Sequence, residues 1–86
     1  MKVGIVGCGG IGFRRAEAVS KIDDLELSVV ADISLERAKK LANEFGCEST
    51  EDYNNVVNSD VDIIIISTTN DKLVEVAKAA IKNKKH

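Results

Sequence analysis

The chain has 86 residues, which is enough for one small domain with a single hydrophobic core. Its hydrophobic content of 44% is ordinary for a globular protein, and its net charge of −2 excludes a broadly basic face for nucleic acid. No apolar run is long enough to span a bilayer, and Cys8 and Cys47 are too isolated to suggest a metal site. We therefore expect a cytoplasmic protein without a metal, membrane or nucleic-acid partner.

A glycine-rich turn follows the first predicted strand, residues 2–6, whose apolar residues are typical of a buried parallel strand. Gly7 allows a tight turn, Gly9 lets a pyrophosphate approach the backbone, and Gly12 lets the next helix pack close to the strand. Because the start of that helix offers unpaired N–H groups, the segment predicts a phosphate-binding site. Its candidate residues are Gly7, Gly9, Gly10, Ile11 and Gly12.

A helix and a second strand are predicted next, over residues 11–21 and 25–31. The inner face of the helix is predicted to comprise Ile11, Ala16, Val19 and Ile22. Asp32 follows the second strand, about 20 residues after Gly12, which is the spacing at which dinucleotide-binding domains place a ribose-binding carboxylate.

The alternation of helices and strands continues to the end of the chain. Ser34 is predicted to cap a second helix that ends at Gly46. A short strand is expected over residues 47–49, then a short helix capped by Ser49 or Thr50. The fourth strand is predicted at residues 63–66 and the last helix at 71–82. The predicted inner faces of the third and last helices comprise Tyr53, Val56, Val57, Val74, Ala77, Ala80 and Ile81.

This order predicts an α/β protein, a partial doubly wound Rossmann fold with a parallel sheet of about four strands in the order 3-2-1-4. Ligands of such sheets bind at the carboxyl ends of the strands near the reversal of strand order. The glycine turn, Asp32 and the polar loop after the fourth strand all lie there. The further candidate cofactor-binding residues are Asp32, Ile33, Arg37, Ser67, Thr68, Thr69 and Asn70.

Asp32 is expected to bind the hydroxyls of the adenosine ribose, which favours NAD over NADP because a 2′-phosphate would meet a like charge. The alternative is a solvated turn carboxylate that caps a helix. Arg37 is interpreted mainly as a surface residue, with a position over the adenine as the alternative. Ser67, Thr68 and Asn70 either line the cofactor groove or end the strand and cap the last helix.

Two stretches resemble the glucose–fructose oxidoreductase / inositol dehydrogenase family (Gfo/Idh/MocA). The segment ADISLERA at 31–38 resembles the family's acid–turn–helix segment, and DVDIIIISTTN at 60–70 resembles its fourth strand and following loop. The closing Lys85 and His86 resemble the approach to a fifth strand. The chain departs from the family where Thr69 replaces a usual proline and Leu73 a common histidine.

The resemblance covers residues 1–86 as the family's N-terminal cofactor domain. It implies a parent oxidoreductase that uses NAD(P) on a sugar, cyclitol or related polyol. The family's catalytic Glu-Lys-Pro segment would follow His86, so the resemblance implies a truncated domain that binds nucleotide without turnover. A non-catalytic nucleotide-sensing module is the alternative function, and a domain binding a nucleotide sugar or coenzyme A is a third.

The fourth strand is also expected to form an exposed edge of the sheet. Apolar edge strands pair readily with other chains, so we predict self-association through residues 63–66. Val76 and Ala79 on the last helix are predicted to be exposed for the same reason.

Overall fold

The computed structural model describes residues 1–68 and 70–83. For residues 70–74 it describes only the backbone. Strands and helices alternate strictly in the described part of the chain, and the helix before the last strand is short. In chain order they are β1 (Lys2–Val6), α1 (Gly10–Ser20), β2 (Glu26–Ala31), α2 (Leu35–Phe45), β3 (Glu48–Thr50), α3 (Tyr53–Val57), β4 (Ile63–Ile66) and α4 (Asn70–Lys82).

The four strands form one parallel sheet in the order β3-β2-β1-β4, which confirms the predicted order and the Rossmann-type α/β class. The central strand β1 pairs on both sides, and Val6 lies opposite Ala31 of β2 and Ile66 of β4. Because all strands are parallel, their carboxyl ends lie at the same edge of the sheet.

Successive residues of β1 and β2 supply the two faces of the sheet, as the two-residue period of a strand requires. Ile5 and Val30 pack with α1 and α2 through Ala16, Ala38 and Leu41. The other face packs against α3 and α4, and its buried residues include Val6, Val29, Val56, Val57, Ile64 and Val76. The sheet is therefore covered by helices on both sides.

The prediction that Val76 and Ala79 are exposed is wrong. Val76 is fully buried, and Ala79 is partly buried against the same apolar cluster. The predicted inward position of Ile81 is also wrong, since this side chain is 74% exposed. Val76 and Ala80 are one helical turn apart, and they define the buried face of α4.

The inner face of α1 also differs from the prediction. Ala16 and Val19 are buried as expected, but Ile11 and Ile22 are exposed. The buried stripe begins at Gly12, and Gly12, Ala16 and Val19 follow the helical i, i+4, i+7 spacing. Ile22 lies beyond the end of the helix at Ser20, so helical periodicity does not place it.

Two of the three predicted helix caps and ends are confirmed. The Ser34 hydroxyl accepts a hydrogen bond from the Arg37 N–H, and Gly46 ends α2 with a left-handed φ of 70°. The cap of α3 is Asp52, not Ser49 or Thr50, because β3 extends through Thr50 and Asp52 accepts the Asn54 N–H at 2.9 Å.

None of the helices within the described ranges has the length and apolar character needed to cross a membrane.

Candidate functional site

A groove of about 430 Å³ lies at the carboxyl edge of the sheet, around the ends of β1, β2 and β4. Its size falls in the range of small-molecule sites. The groove is lined by Val6, Gly7, Gly9, Ala31, Asp32, Ile33, Arg37, Glu51, Asp52, Tyr53, Ser67, Thr68 and Val76. It lies where the strand order reverses between β1 and β4, the position at which parallel sheets bind ligands.

Two glycines of the turn are required by the fold itself. Gly7 has a positive φ of 104°, and a Cβ there would lie 2.6 Å from the Ser67 carbonyl oxygen. A Cβ on Gly12 would overlap the Gly7 carbonyl oxygen, which is how α1 approaches the end of β1 so closely.

Gly9 and Gly10 have no such steric reason to be glycine. Apart from the adjacent residues and the backbone of α1 itself, no described atom lies within 4 Å of a Cβ built on either residue. The space beside Gly9 opens into the groove, where an incoming group could contact the backbone directly.

The start of α1 presents unpaired N–H groups beside this space. The first helical hydrogen bond runs from the Phe13 N–H to the Gly9 carbonyl at 2.9 Å, and Gly9 supplies no side chain to cap the preceding donors. Gly10, Ile11 and Gly12 form this first turn, so the predicted phosphate-binding residues lie at a helix N-terminus.

Asp32 accepts hydrogen bonds from three parts of the chain. Its Oδ2 accepts the Cys8 N–H at 2.8 Å, and its Oδ1 accepts the Ser34 N–H at 2.8 Å. Oδ1 also accepts Nη2 and Nε of Arg37 at 3.1 Å and 3.3 Å. The Asp32 side chain is only 7% exposed, so the carboxylate is a buried acceptor between the glycine turn and the start of α2.

These donors keep the carboxylate ionised. Burial by itself raises the pKa of Asp32, but the hydrogen bonds from the N–H groups of Cys8 and Ser34 and from the Arg37 guanidinium outweigh it. The pKa therefore lies below its ordinary value, and the groove contains a fixed negative charge at neutral pH.

Arg37 is exposed, as the sequence suggested, and it also takes part in the candidate site. Its side chain is 56% exposed, yet the guanidinium forms an ion pair with Asp32 and lines the groove. The groove thus has one buried carboxylate and, beside it, one partly exposed cation.

Cys8 is a structural residue of the turn. Its thiol donates to the Ala31 carbonyl oxygen at 3.2 Å. Burial, reinforced by the Asp32 carboxylate, raises the pKa of the Cys8 thiol to about 12. A thiol that stays protonated is a poor nucleophile, so Cys8 serves the turn as a small buried residue.

Ser67 brings an unsatisfied hydroxyl to the other side of the turn. Its N–H donates to the Val6 carbonyl at 2.7 Å, but its buried Oγ has no hydrogen-bond partner in the described part of the chain. A buried hydroxyl without a partner costs ~1–3 kcal/mol, which a bound ligand could offset.

The groove includes four residues that the sequence did not suggest: Glu51, Asp52, Tyr53 and Val76. The Tyr53 hydroxyl donates to Glu75 Oε1 at 2.8 Å and so links α3 to α4 beside the groove. The predicted strand order could have indicated residues 51–53, since residues after β3 must lie at the same edge of the sheet as those after β2.

The groove brings together seven of the predicted cofactor-binding residues, namely Gly7, Gly9, Asp32, Ile33, Arg37, Ser67 and Thr68. Gly10, Ile11 and Gly12 lie in the adjoining first turn of α1 and are not among the lining residues. Thr69 lies outside the described residues, and Asn70 is described only as the first backbone position of α4.

A glycine turn, a buried carboxylate and a parallel sheet with this strand order define a dinucleotide-binding domain. The family described as "Oxidoreductase family, NAD-binding Rossmann fold" (GFO_IDH_MocA) matches residues 1–86. The chain belongs to that family, as its resemblance predicted.

The relatives that match this chain have names with different substrates. A myo-inositol 2-dehydrogenase of Thermotoga maritima is 27% identical over 100% of this chain and 26% of its own length. An L-aspartate dehydrogenase of Methanocaldococcus jannaschii is 29% identical over 99% of this chain and 33% of its own length. The chain thus spans about a quarter to a third of the length of these relatives.

A solved structure with the same fold is a 3-ketoreductase from Actinomadura kijaniata in complex with TDP-benzene and NADP. It superposes with a TM-score of 0.93 at 27% identity, over 100% of this chain and 28% of the ketoreductase.

Proposed function

We propose that this domain binds NAD in the groove at the carboxyl edge of its sheet and serves as the cofactor domain of a polyol dehydrogenase. The observation that supports the proposal best is that the glycine turn and Asp32 lie side by side in one groove. The pyrophosphate would lie against Gly9 and the first turn of α1, and the adenosine ribose against Asp32.

The preference for NAD follows from the charges at the ribose end. Asp32 is ionised and buried, and Glu51 and Asp52 add carboxylates to the same groove. A 2′-phosphate would meet this negative charge, which Arg37 offsets only in part because it is half exposed. The related ketoreductase was solved in complex with NADP, so the preference for NAD is to be tested by titrating both cofactors.

Ser67 and Thr68 would hold the part of the dinucleotide that extends from the pyrophosphate toward the substrate. The unpartnered Ser67 Oγ supports this role, because a ligand hydroxyl or phosphate oxygen would supply its missing hydrogen bond. On the basis of the sequence, we assign Thr69 and the first residue of α4, Asn70, to the same part of the site.

The substrate of the parent protein is proposed to be a sugar, a cyclitol or a related polyol. The inositol dehydrogenase relative supports this class, and the aspartate dehydrogenase relative is the main competitor. We also propose a cytoplasmic location, consistent with free thiols at Cys8 and Cys47.

Residues 1–86 alone are proposed to bind nucleotide without turnover. The two buried titratable groups at the turn are poorly suited to transfer a proton at neutral pH, since the pKa of Asp32 is lowered and that of Cys8 is raised to about 12. Repeated NADH formation from inositol, glucose or aspartate by the repurified chain would contradict this part of the proposal.

Gly9→Ala tests the proposed pyrophosphate position. Since no described atom other than those of the adjacent residues lies within 4 Å of the new methyl group, the variant should keep its melting temperature. It should nevertheless bind NAD at least about tenfold more weakly, because the methyl group lies where the pyrophosphate approaches. Calorimetric titration of NAD and NADP into both proteins measures the affinities.

Lys39→Ala, an exposed change on α2, is the matched control and should bind like the wild type. Equal NAD affinity of Gly9→Ala and the wild type would contradict the proposed placement of the pyrophosphate. Tighter binding of NADP than NAD to the wild type would contradict the proposed cofactor preference.

A further inference from the structure

The glycine turn is hydrogen-bonded to the end of β2 at successive positions. The Gly7 N–H donates to the Ala31 carbonyl at 2.7 Å, and the Cys8 N–H donates to Asp32 Oδ2 at 2.8 Å. The Cys8 thiol adds a third bond to the Ala31 carbonyl at 3.2 Å. Of these three contacts, only the one to Asp32 uses a side-chain acceptor.

The Asp32 contact fixes the backbone of the turn just before Gly9. Cys8 is 8% exposed and its N–H points at a buried carboxylate, so water cannot readily replace this acceptor. Hydrogen bonds to a charged acceptor are also stronger than those to a neutral one. Loss of the carboxylate would therefore leave the turn without its side-chain anchor.

The other oxygen of Asp32 is already fully used. A carboxylate oxygen has about two lone-pair positions, and Oδ1 receives the Ser34 N–H and two nitrogens of Arg37. Oδ2 receives only Cys8 among the described donors and retains one position. A ribose hydroxyl can thus bind Oδ2 while the bond to the turn remains.

From these contacts we infer that Asp32 is a positioning residue for the pyrophosphate as well as a ligand of the ribose. It holds the Cys8 N–H, and through it the Gly9 backbone, in the orientation that a diphosphate requires. This inference rests on the proposed nucleotide site. It predicts that Asp32 affects the affinity even of nucleotides that lack the hydroxyls it would bind.

A ligand pair separates the two roles. ADP contains the diphosphate and the ribose diol, whereas 2′,3′-dideoxy-ADP contains the diphosphate without the diol. Titration of both into the wild type and into Asp32→Ala should show that the variant loses affinity for dideoxy-ADP by at least about fivefold. The loss for ADP should be larger, because both roles are then removed.

Ser34→Ala is the matched control, because it removes the α2 cap at the same turn but keeps the Ser34 N–H bond to Asp32. Both ligands should bind this variant within about twofold of the wild type. Amide exchange of Cys8, followed by NMR without nucleotide, supplies a second readout. It should become at least about tenfold faster in Asp32→Ala and stay unchanged in Ser34→Ala.

The outcomes distinguish the inference from the proposed function. Suppose that the wild type binds ADP, and that dideoxy-ADP binds the wild type and Asp32→Ala with equal affinity. The positioning role of Asp32 is then overturned, while the proposed nucleotide site is retained. Unchanged Cys8 exchange in Asp32→Ala would overturn the role as well. If the wild type binds neither ligand, the proposed function and the inference fall together.

Discussion

The guanidinium of Arg37 lies against one oxygen of Asp32, with Nη2 at 3.1 Å and Nε at 3.3 Å from Oδ1. The pair joins a buried anion to a cation whose side chain is 56% exposed. In the proposed site, a ribose hydroxyl binds Oδ2 and leaves the guanidinium on Oδ1, and a 2′-phosphate would be attracted to that guanidinium. Arg37 is therefore placed to set how strongly the domain discriminates against NADP.

Replacement of Arg37 by Met should sharpen the preference for NAD. Without the cation, a 2′-phosphate meets the Asp32 carboxylate unscreened, so NADP affinity should fall on the order of fivefold, about 1 kcal/mol for a partly exposed charge. NAD affinity should change by less than about threefold. Calorimetric titration of both cofactors measures the ratio.

Lys40→Met is the control for this change, because it removes the same charge from an exposed position of the same helix. It should leave the ratio of the two affinities unchanged. An equal loss for NAD and NADP in Arg37→Met would show that Arg37 does not act at the 2′ position.

Asp32 should also make the stability of the fold depend on pH. Because its pKa is lowered in the folded state, its ionised form contributes stability above the unfolded pKa of about 4. That contribution is lost as the pH falls through the folded pKa. At pH 7, Asp32→Asn should reduce the free energy of unfolding by ~1–3 kcal/mol, since an amide cannot accept from Cys8, Ser34 and Arg37 together.

Urea unfolding of the wild type and Asp32→Asn at pH 7, 4 and 3 tests this dependence. The difference between the two proteins should shrink toward the acid end of the series. Ser34→Ala also weakens this turn but removes no titrating group, so its effect should be the same at each pH. A difference for Asp32→Asn that does not change with pH would contradict the lowered pKa.

Much of the fold follows from local patterns in the sequence. The glycine spacing, the position of Asp32 and the short apolar runs suffice for the order β3-β2-β1-β4, because right-handed crossovers leave few other topologies. The caps at Ser34 and Gly46 follow from backbone chemistry that acts over a few residues.

The features that the sequence did not predict correctly are contacts between elements that are far apart in the chain. The buried stripe of α1 begins at Gly12 because close approach to Gly7 needs the absence of a side chain there, which hydrophobicity does not reveal. The Asp32–Arg37 pair depends on the rotamer of a long side chain. Val76 is buried because α4 packs on the same face of the sheet as α3.

Gly12 should be essential for stability, and Gly10 should not. A methyl group on Gly12 would overlap the Gly7 carbonyl oxygen, so α1 must move away from β1. We expect Gly12→Ala to lower the free energy of unfolding by at least ~1–3 kcal/mol, the usual cost of overpacking. Gly10→Ala adds the same methyl group to open space in the same helix and should change stability by less than about 0.5 kcal/mol. Chemical denaturation measures the free energy of unfolding of both variants. An equal loss in the two would contradict a close contact between Gly12 and the Gly7 carbonyl.

The edge of the described sheet at β4 leads to the last prediction, which is self-association. β4 is a run of four isoleucines paired to β1, and in the described sheet it has no strand on its other side. Apolar edges of this kind add strands from other chains. We propose that two copies of residues 1–86 associate through β4, most simply about a twofold axis.

A charge on the edge should weaken this association, and burial decides where to place it. Ile64 is only 8% exposed and belongs to the apolar cluster under α3 and α4, so a lysine there would disrupt the core. Ile63 is half-buried at the start of the strand, and Ile63→Lys should shift the protein toward monomer at a smaller cost in stability. Glu48→Lys places the same side chain on β3, at the opposite edge, and should leave association unchanged. Sedimentation velocity over a concentration series up to about 1 mM, where even weak interfaces form, measures the shift. A wild type that remains monomeric over the whole series would contradict pairing through β4.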